Sequence, residues 1–443
     1  MTELRPAPAV EYEGEVVETA RRQWARGALL VGIVAVMAIV GIVLLIYLEQ
    51  HIGKTALVVG VVAAFIPVPL LVFCFLWLDR YEPEPIKYLA FCLAWGATFG
   101  AGLALALNQT AVKVLHLPLA LVAVAVAPPV EESMKALGPL LLFWFRPRAF
   151  SGVVDGIVYC GLSATGFAML ENILYLGGYG YAAGAERGGV PGGVAQTIAI
   201  FFVRIALTGF AHPLFTSMTG IGLGVAARSR HRLVRVLAPV AGWLAAVILH
   251  GSWNGMTELA SSTKQYLILL YGYFGVMLPI FLGMVGFALW LRSWEGRLTQ
   301  RILPDYVHAG WLSPPEVASL ATVGRRQSAR TWARRVAGDR GGQAMRGFQY
   351  AATRLALLRD GLRRGLHLRA PEDLRRLLAE EQALLQAISG YRSVYTGRDP
   401  QTPEAHWDGQ RYHIRFPDGQ VRTLDPPGQP VVPVPVALVP YYR

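Results

Sequence analysis

The chain has 443 residues, of which 54% are hydrophobic and 16% charged, with a formal net charge of +12. Soluble domains carry roughly a quarter charged residues, and here the charges gather in the flanks while long runs within residues 28–293 are nearly free of them, which excludes an ordinary soluble fold and fits burial in lipid. The positive excess does not mark a nucleic-acid binder: the arginines sit in short loops and near the C-terminus, with no zinc-finger spacing and no aromatic-rich basic pattern.

A membrane helix takes about 20 predominantly apolar residues. Along the chain, 28–48, 55–78 and 88–107 qualify, followed by a long stretch, 117–145, broken at Pro128-Pro129. Then come 153–176, 197–226, 233–257 and 266–291. The expectation is an all-α, polytopic transmembrane bundle of about eight spans. The first apolar run opens only near Ala28, after an acidic start, and is longer than a signal h-region, so it reads as a span. Cys74, Cys92 and Cys160 lie in apolar runs without CxxC spacing and read as small buried hydrophobes.

Basic residues set the orientation. Arg21, Arg22 and Arg26 precede the first span. Arg80, Lys87, Arg146, Arg148, Arg228, Arg230, Arg232, Arg235, Arg292 and Arg297 all follow even-numbered spans. Both termini are therefore expected in the cytoplasm of a multi-pass plasma-membrane protein, with the Gly-rich segment 177–193 as a loop on the far side. Three regions follow: a cytoplasmic segment 1–27, the membrane domain 28–293 and a soluble cytoplasmic tail 294–443. In the tail, Ser313-Pro314-Pro315-Glu316 reads as a capped helix start and the leucines of 372–388 repeat at helical spacing. Asp408-Gly409 and Asp418-Gly419 between alternating residues suggest small hairpins, and the Pro-rich end beyond Asp425 reads as irregular.

Ionisable groups at the centre of a bilayer cost about 3 kcal/mol each on insertion scales, so they pair or line a water-filled cavity. Glu131, Glu132 and Lys135 follow the prolines, with both carboxylates expected in the first turn of a new helix. Lys135 is within reach of either, leaving one carboxylate in excess. Glu171 and Asn172 lie in the outer third of the fifth span, with Phe167 one turn earlier on the same face. His212 stands in the sixth span beside Pro213, expected to kink the helix, and Arg204 lies two turns earlier. His250 and Asn254 share a face of the seventh span. Asp155, near Arg146 and Arg148, reads as a surface ion pair. The depths of the other four groups let them meet in the central-to-outer half of the membrane.

Such a set suits peptide hydrolysis. A glutamate can take a proton from water while a histidine and an asparagine hold the oxyanion. Alternatively Glu171, His212 and His250 can bind Zn²⁺ with a glutamate as base, although no HExxH helix is present. A non-catalytic scaffold or receptor, or a proton-coupled transporter, would use the same residue types.

EExxxK at 131–135, FxxxEN at 167–172, HxxFT at 212–216 and HxxWN at 250–254 resemble, in order, the motifs of the PrsW family of intramembrane proteases. That family is similar in turn to CAAX prenyl endopeptidases and bacteriocin-processing proteases, and the resemblance covers about residues 55–260. It implies Glu131 or Glu132 as base, with Glu171, His212, His250 and Asn254 completing the site and Lys135 and Asn172 in support. It also implies a membrane-anchored protein substrate such as an anti-sigma factor. Lys135 stands where CAAX-type relatives usually carry arginine, and the tail has no counterpart in the resemblance.

Overall fold

A computed structural model describes residues 12–81, 84–366, 371–399, 405–415 and 418–426. The Pro-rich end beyond residue 426 lies outside them. The membrane region begins with α1 (Tyr12–Ile52), α2 (Lys54–Phe65) and α3 (Val68–Leu78). Helix α4 (Ile86–Trp95) runs through a π turn into α5 (Ala101–Lys113). A short turn α6 (Leu119–Leu121) and a second π turn lead into α7 (Ala127–Phe145). Then follow α8 (Val153–Ile173), α9 (Ala183–Phe201), α10 (Ala211–Ala227), α11 (Arg232–Thr263), α12 (Leu267–Gly272) and α13 (Leu278–Ile302). Large apolar side chains cover the outside: Val31, Val62, Leu70 and Ile248 are all more than half exposed, as a lipid-facing surface requires.

Helix α8 is the centre of the bundle and is buried along nearly its whole length. Helix α10 packs against it on one side and against α11 on the other. The α8–α10 crossing depends on paired glycines: a Cβ on Gly156 would lie 2.0 Å from the carbonyl oxygen of Gly220. Small residues at such crossings bring backbones close where no hydrophobic effect drives association.

Among the described residues, six helical stretches are long and apolar enough to cross a membrane, against the eight expected. The difference has two sources. The stretch Val153–Ala227 is one helical run in sequence but a hairpin in space. Gly188 and Gly189 leave the helical region (Gly189 φ 60°), and Gly184 packs against Gly192 and Gly193 across the turn. The segment 177–193, expected as a loop, is thus helical almost to its apex. The other source is α7, whose Glu131, Glu132 and Lys135 remove it from the apolar set.

Three local expectations are corrected. Pro128 and Pro129 do not break the chain: Val126 keeps helical angles (φ −99°, ψ −48°), the prolines occupy the start of α7, and Glu131 and Glu132 fall in its second turn. Pro213 does not kink a span. The helix is interrupted earlier, at 208–210, and Pro213 sits in the first turn of α10, where its missing N–H has no partner to lose. Asp155 is buried and caps the start of α8, accepting from Ser151 N (2.5 Å), Ser151 Oγ (2.8 Å) and Gly152 N (3.1 Å), and is no surface ion pair. Cys92 and Cys160 are buried, whereas Cys74 is exposed on the outer face of α3.

The C-terminal helices are α14 (Pro304–His308), α15 (Pro314–Leu320), α16 (Val323–Arg363), which reverses at Ala337-Gly338, and α17 (Pro371–Ser393). Ser313 and Glu316 form the expected cap: the Glu316 carboxylate accepts from Ser313 N (2.8 Å) and also pairs with Arg392 (2.7 Å). Strands β1 (Ala405–Trp407), β2 (Tyr412–Arg415) and β3 (Val421–Leu424) form an antiparallel meander, with the two Asp-Gly pairs at its turns. These elements share a core that includes Leu303, Leu320, Phe348, Leu355 and Trp407. They dock on the basic end of the bundle, where Arg228 pairs with Asp360 and Arg326 Nη1 donates to Tyr81 O (3.3 Å).

Candidate active site

Helices α7, α8, α10 and α11 each direct polar side chains to one place. Glu132 is fully buried and accepts three hydrogen bonds. Lys135 Nζ (2.8 Å) and His250 Nδ1 (2.9 Å) donate to its Oε1, and Thr216 Oγ1 (2.7 Å) donates to its Oε2. Lys135 is equally buried. Its ammonium lies 3.0 Å from His212 Nδ1, 3.6 Å from Glu131 Oε2 and 4.3 Å from the centre of the Phe167 ring.

The partners fix the histidine tautomers. An ammonium only donates, so His212 Nδ1 accepts from Lys135 and its Nε2–H donates to Glu171 Oε2 (2.7 Å). A carboxylate bonded by Lys135 and Thr216 accepts, so His250 donates through Nδ1 and keeps its lone pair on Nε2. That Nε2 stands 3.8 Å from Glu131 Oε2. The two imidazoles meet edge-on, ring centres 5.3 Å apart.

Glu131 differs from its neighbour. Its Oε1 accepts from Asn108 Nδ2 (3.3 Å), and its buried Oε2 has no hydrogen-bond partner among the described residues. Glu171 receives Arg204 Nη2 (2.5 Å) as well as His212. Arg204 Nε donates to Asn172 Oδ1 (3.0 Å), and the guanidinium lies over the Tyr175 ring at 3.6 Å. Three carboxylates therefore face two permanent cations, an excess of one negative charge.

A cavity of about 570 Å³ opens beside this cluster. Glu131, Glu171, Asn172, Arg204, His212, His250 and Asn254 line it, whereas Glu132 and Lys135 lie behind the wall. Its lining reaches Lys113 and Glu258, the end of the bundle opposite to Arg228. Asn254, read from sequence as an oxyanion donor, gives its amide to Ala123 O (2.9 Å) and ties α11 to the run before α7.

The structure brings Glu131, Glu132, Lys135, Glu171, Asn172, His212 and His250 into one network. Sequence reasoning left Arg204, Thr216, Asn108 and Tyr175 out of that set. Arg204 carried a signal, being a lone cation in an apolar run. Thr216 carried one as the last residue of the HxxFT motif, whereas Asn108 is uncharged, stands in no motif and carried none. The group able to hold a metal also differs from the expected one. Ligand atoms of Glu131, His212 and His250 lie within 4.8 Å of one another, and Glu131 takes the position expected for Glu171. Glu171 is engaged instead by Arg204, on the same oxygen that takes the His212 N–H.

Residues 84–284 match the family described as PrsW family intramembrane metalloprotease. The chain is 32% identical over 139 residues to Protease PrsW of Bacillus subtilis (strain 168), a match covering 31% of this chain and 55% of that protein. The chain thus spans about half the length of the curated relative it matches. No solved structure matches it. All four polar motifs fall inside the matched residues, on helices of a multi-pass membrane bundle. Over residues 84–284, a little under half of its length, this chain is similar to the PrsW family.

Proposed function

We propose that this chain is an intramembrane endopeptidase that hydrolyses a peptide bond of a membrane-anchored protein, with Glu131 as the general base. One observation carries the reading. Glu131 Oε2 is buried on a cavity wall without a hydrogen-bond partner among the described residues, 3.8 Å from the lone pair of His250 Nε2. A buried carboxylate oxygen left without a hydrogen bond is costly unless something else binds it, and the Lys135 ammonium at 3.6 Å is too far to donate one.

The chain's own groups divide the work. Asn108 holds Glu131 Oε1, so Oε2 is free to accept a proton from an attacking water and to return it to the leaving amine. Glu132 anchors His250 and Lys135 and keeps the His250 lone pair turned toward Glu131. Arg204 on the cavity wall and Lys135 behind it supply positive potential to the developing oxyanion. Glu171 receives the His212 N–H and pairs with Arg204, holding both in place.

The donor set also fits a divalent metal. Two imidazoles and a carboxylate converge, one histidine is oriented by a second carboxylate as in zinc sites, and the cluster carries an excess negative charge. Glu131, His212 and His250 would hold the ion, with Zn²⁺ suited to these donors; His212 would then give up its bond to Lys135 or to Glu171, and Glu131 would serve as a ligand in place of the base. It would supply Lewis-acid polarisation and a more acidic water.

The basic end that binds the C-terminal region is read as cytoplasmic by the positive-inside rule, with both termini there and the cavity toward the other face. Residues 28–293 then form the protease domain and 294–443 a cytoplasmic appendage. A membrane-tethered anti-sigma factor is the substrate class that the family resemblance implies. The test is cleavage of a single-span reporter by the full chain in proteoliposomes, comparing wild type with Glu131→Gln and measuring bound metal in the same preparations. Loss of cleavage in the variant is expected. Cleavage at the wild-type rate would overturn the assignment.

A further inference from the structure

A second cavity, of about 480 Å³, lies far from the carboxylate–histidine cluster, in the seam between the bundle and the C-terminal helices. Its floor is apolar, with Phe143 and Phe150 from the bundle and Leu357, Leu362 and Leu366 from the C-terminal region. Its rim is basic. Arg228 and Arg235 come from the bundle and Arg354 and Arg376 from α16 and α17, against two acids, Asp373 and Glu380. Arg354 is held by Glu380 (3.0 Å), and the Arg228 guanidinium by Asp360 and Ser151 O. The Arg376 side chain is 65% exposed and lies 3.9 Å from Glu372, a solvent-screened pair that a phosphate would have to displace.

The location suggests the occupant. Trp144, 74% exposed, lines the same cavity at the last turn of α7, and Phe145 beside it is 72% exposed. Aromatic side chains ending an apolar helix, next to arginines, mark the level of lipid headgroups. An apolar floor below a basic rim matches the two parts of a phospholipid. A free phosphate would have no use for the floor.

We infer that this seam binds a phospholipid with an anionic headgroup, its phosphate among Arg228, Arg235 and Arg376 and an acyl chain on the phenylalanine–leucine floor. Because the rim draws on both halves of the protein, the bound lipid bridges them and secures the docked C-terminal helices. The inference does not rest on the protease reading, and its test reads binding alone.

The full chain is purified into nanodiscs of phosphatidylcholine with phosphatidylglycerol, extracted, and its retained lipids are quantified by native mass spectrometry. Wild type should retain phosphatidylglycerol in preference to phosphatidylcholine. Surface arginines beside anionic lipid act additively, so Arg235→Gln with Arg376→Gln should lower that preference on the order of tenfold. Arg235→Lys with Arg376→Lys should keep most of it, and Arg340→Gln, an exposed change on the C-terminal region away from the rim, should keep all of it. A sharp elution profile for each variant shows that it folds. Equal retention of both lipids by wild type, or an unchanged preference in the glutamine variant, would overturn the proposal. So would displacement of the retained lipid by millimolar inorganic phosphate, which would make the site one for a free anion.

Discussion

Replacing Glu132 by alanine should unfold the site, whereas replacing Glu131 by glutamine should only silence it. Glu132 is fully buried and accepts from Lys135, His250 and Thr216. Removing its carboxylate leaves Lys135, also fully buried, without its closest counter-charge at 2.8 Å. Breaking a buried ion pair from one side costs about 3–5 kcal/mol. The orphaned imidazole and hydroxyl donors add to the loss at about 1–3 kcal/mol each where no new partner is found. The terms share atoms and do not sum, so about 3–5 kcal/mol is the working figure, equivalent to a Tm lowered by on the order of 10 °C. Glu131→Gln removes no hydrogen bond at Oε2 and keeps an acceptor for Asn108, and Lys135, which loses its longer pair at 3.6 Å, keeps Glu132 at 2.8 Å. Its stability should stay within about 1 kcal/mol of wild type, while cleavage falls by about 10²–10⁴. The assay is thermal unfolding in detergent by intrinsic fluorescence, run beside the proteoliposome cleavage measurement. An alanine variant at position 132 that melts with wild type would refute the view that this carboxylate balances Lys135.

Gly156→Ala should be poorly tolerated, because the new methyl would lie 2.0 Å from Gly220 O in the α8–α10 crossing. Overpacking of this kind costs about 1–3 kcal/mol or more, and a Tm equal to wild type would contradict the close approach. Asp360→Ala removes the partner of Arg228 at the docking seam. Limited proteolysis should then cut between the bundle and the C-terminal helices several times faster, with the carboxylate–histidine cluster unaffected. The small sheet should loosen in acid. Asp408 is held down to about 2 by the N–H of Arg411, then by His413 and the N–H of Gln410. A depressed carboxylate contributes stability above its unfolded value of about 4 and loses it as pH falls toward 2. Protection factors of the 405–415 and 421–424 amides, corrected for the pH dependence of intrinsic exchange, should fall across that window, and no fall there would contradict the reading.

Residue chemistry alone determined the solvent of this protein and the identity of most of its polar network. Charges vanish from apolar runs because each costs free energy in lipid, so the few that remain, Glu131, Glu132, Lys135, Glu171, His212 and His250, announce themselves. Periodicity and turn chemistry likewise gave the Ser313–Glu316 helix start and the turns at Asp408-Gly409 and Asp418-Gly419. Tertiary structure decided what no local pattern encodes. The helical hairpin at Gly188-Gly189 was hidden because glycine permits both a loop and a close helix pair. The division between Glu131 and Glu132 was hidden because adjacent residues on a helix differ in direction by about 100°, and only the packed neighbours determine which one faces the cavity and which one Lys135, His250 and Thr216 enclose. That Glu131 and not Glu171 joins His212 and His250 in the metal-capable group, while Glu171 pairs with Arg204, is a matter of distance across helices and not of sequence spacing.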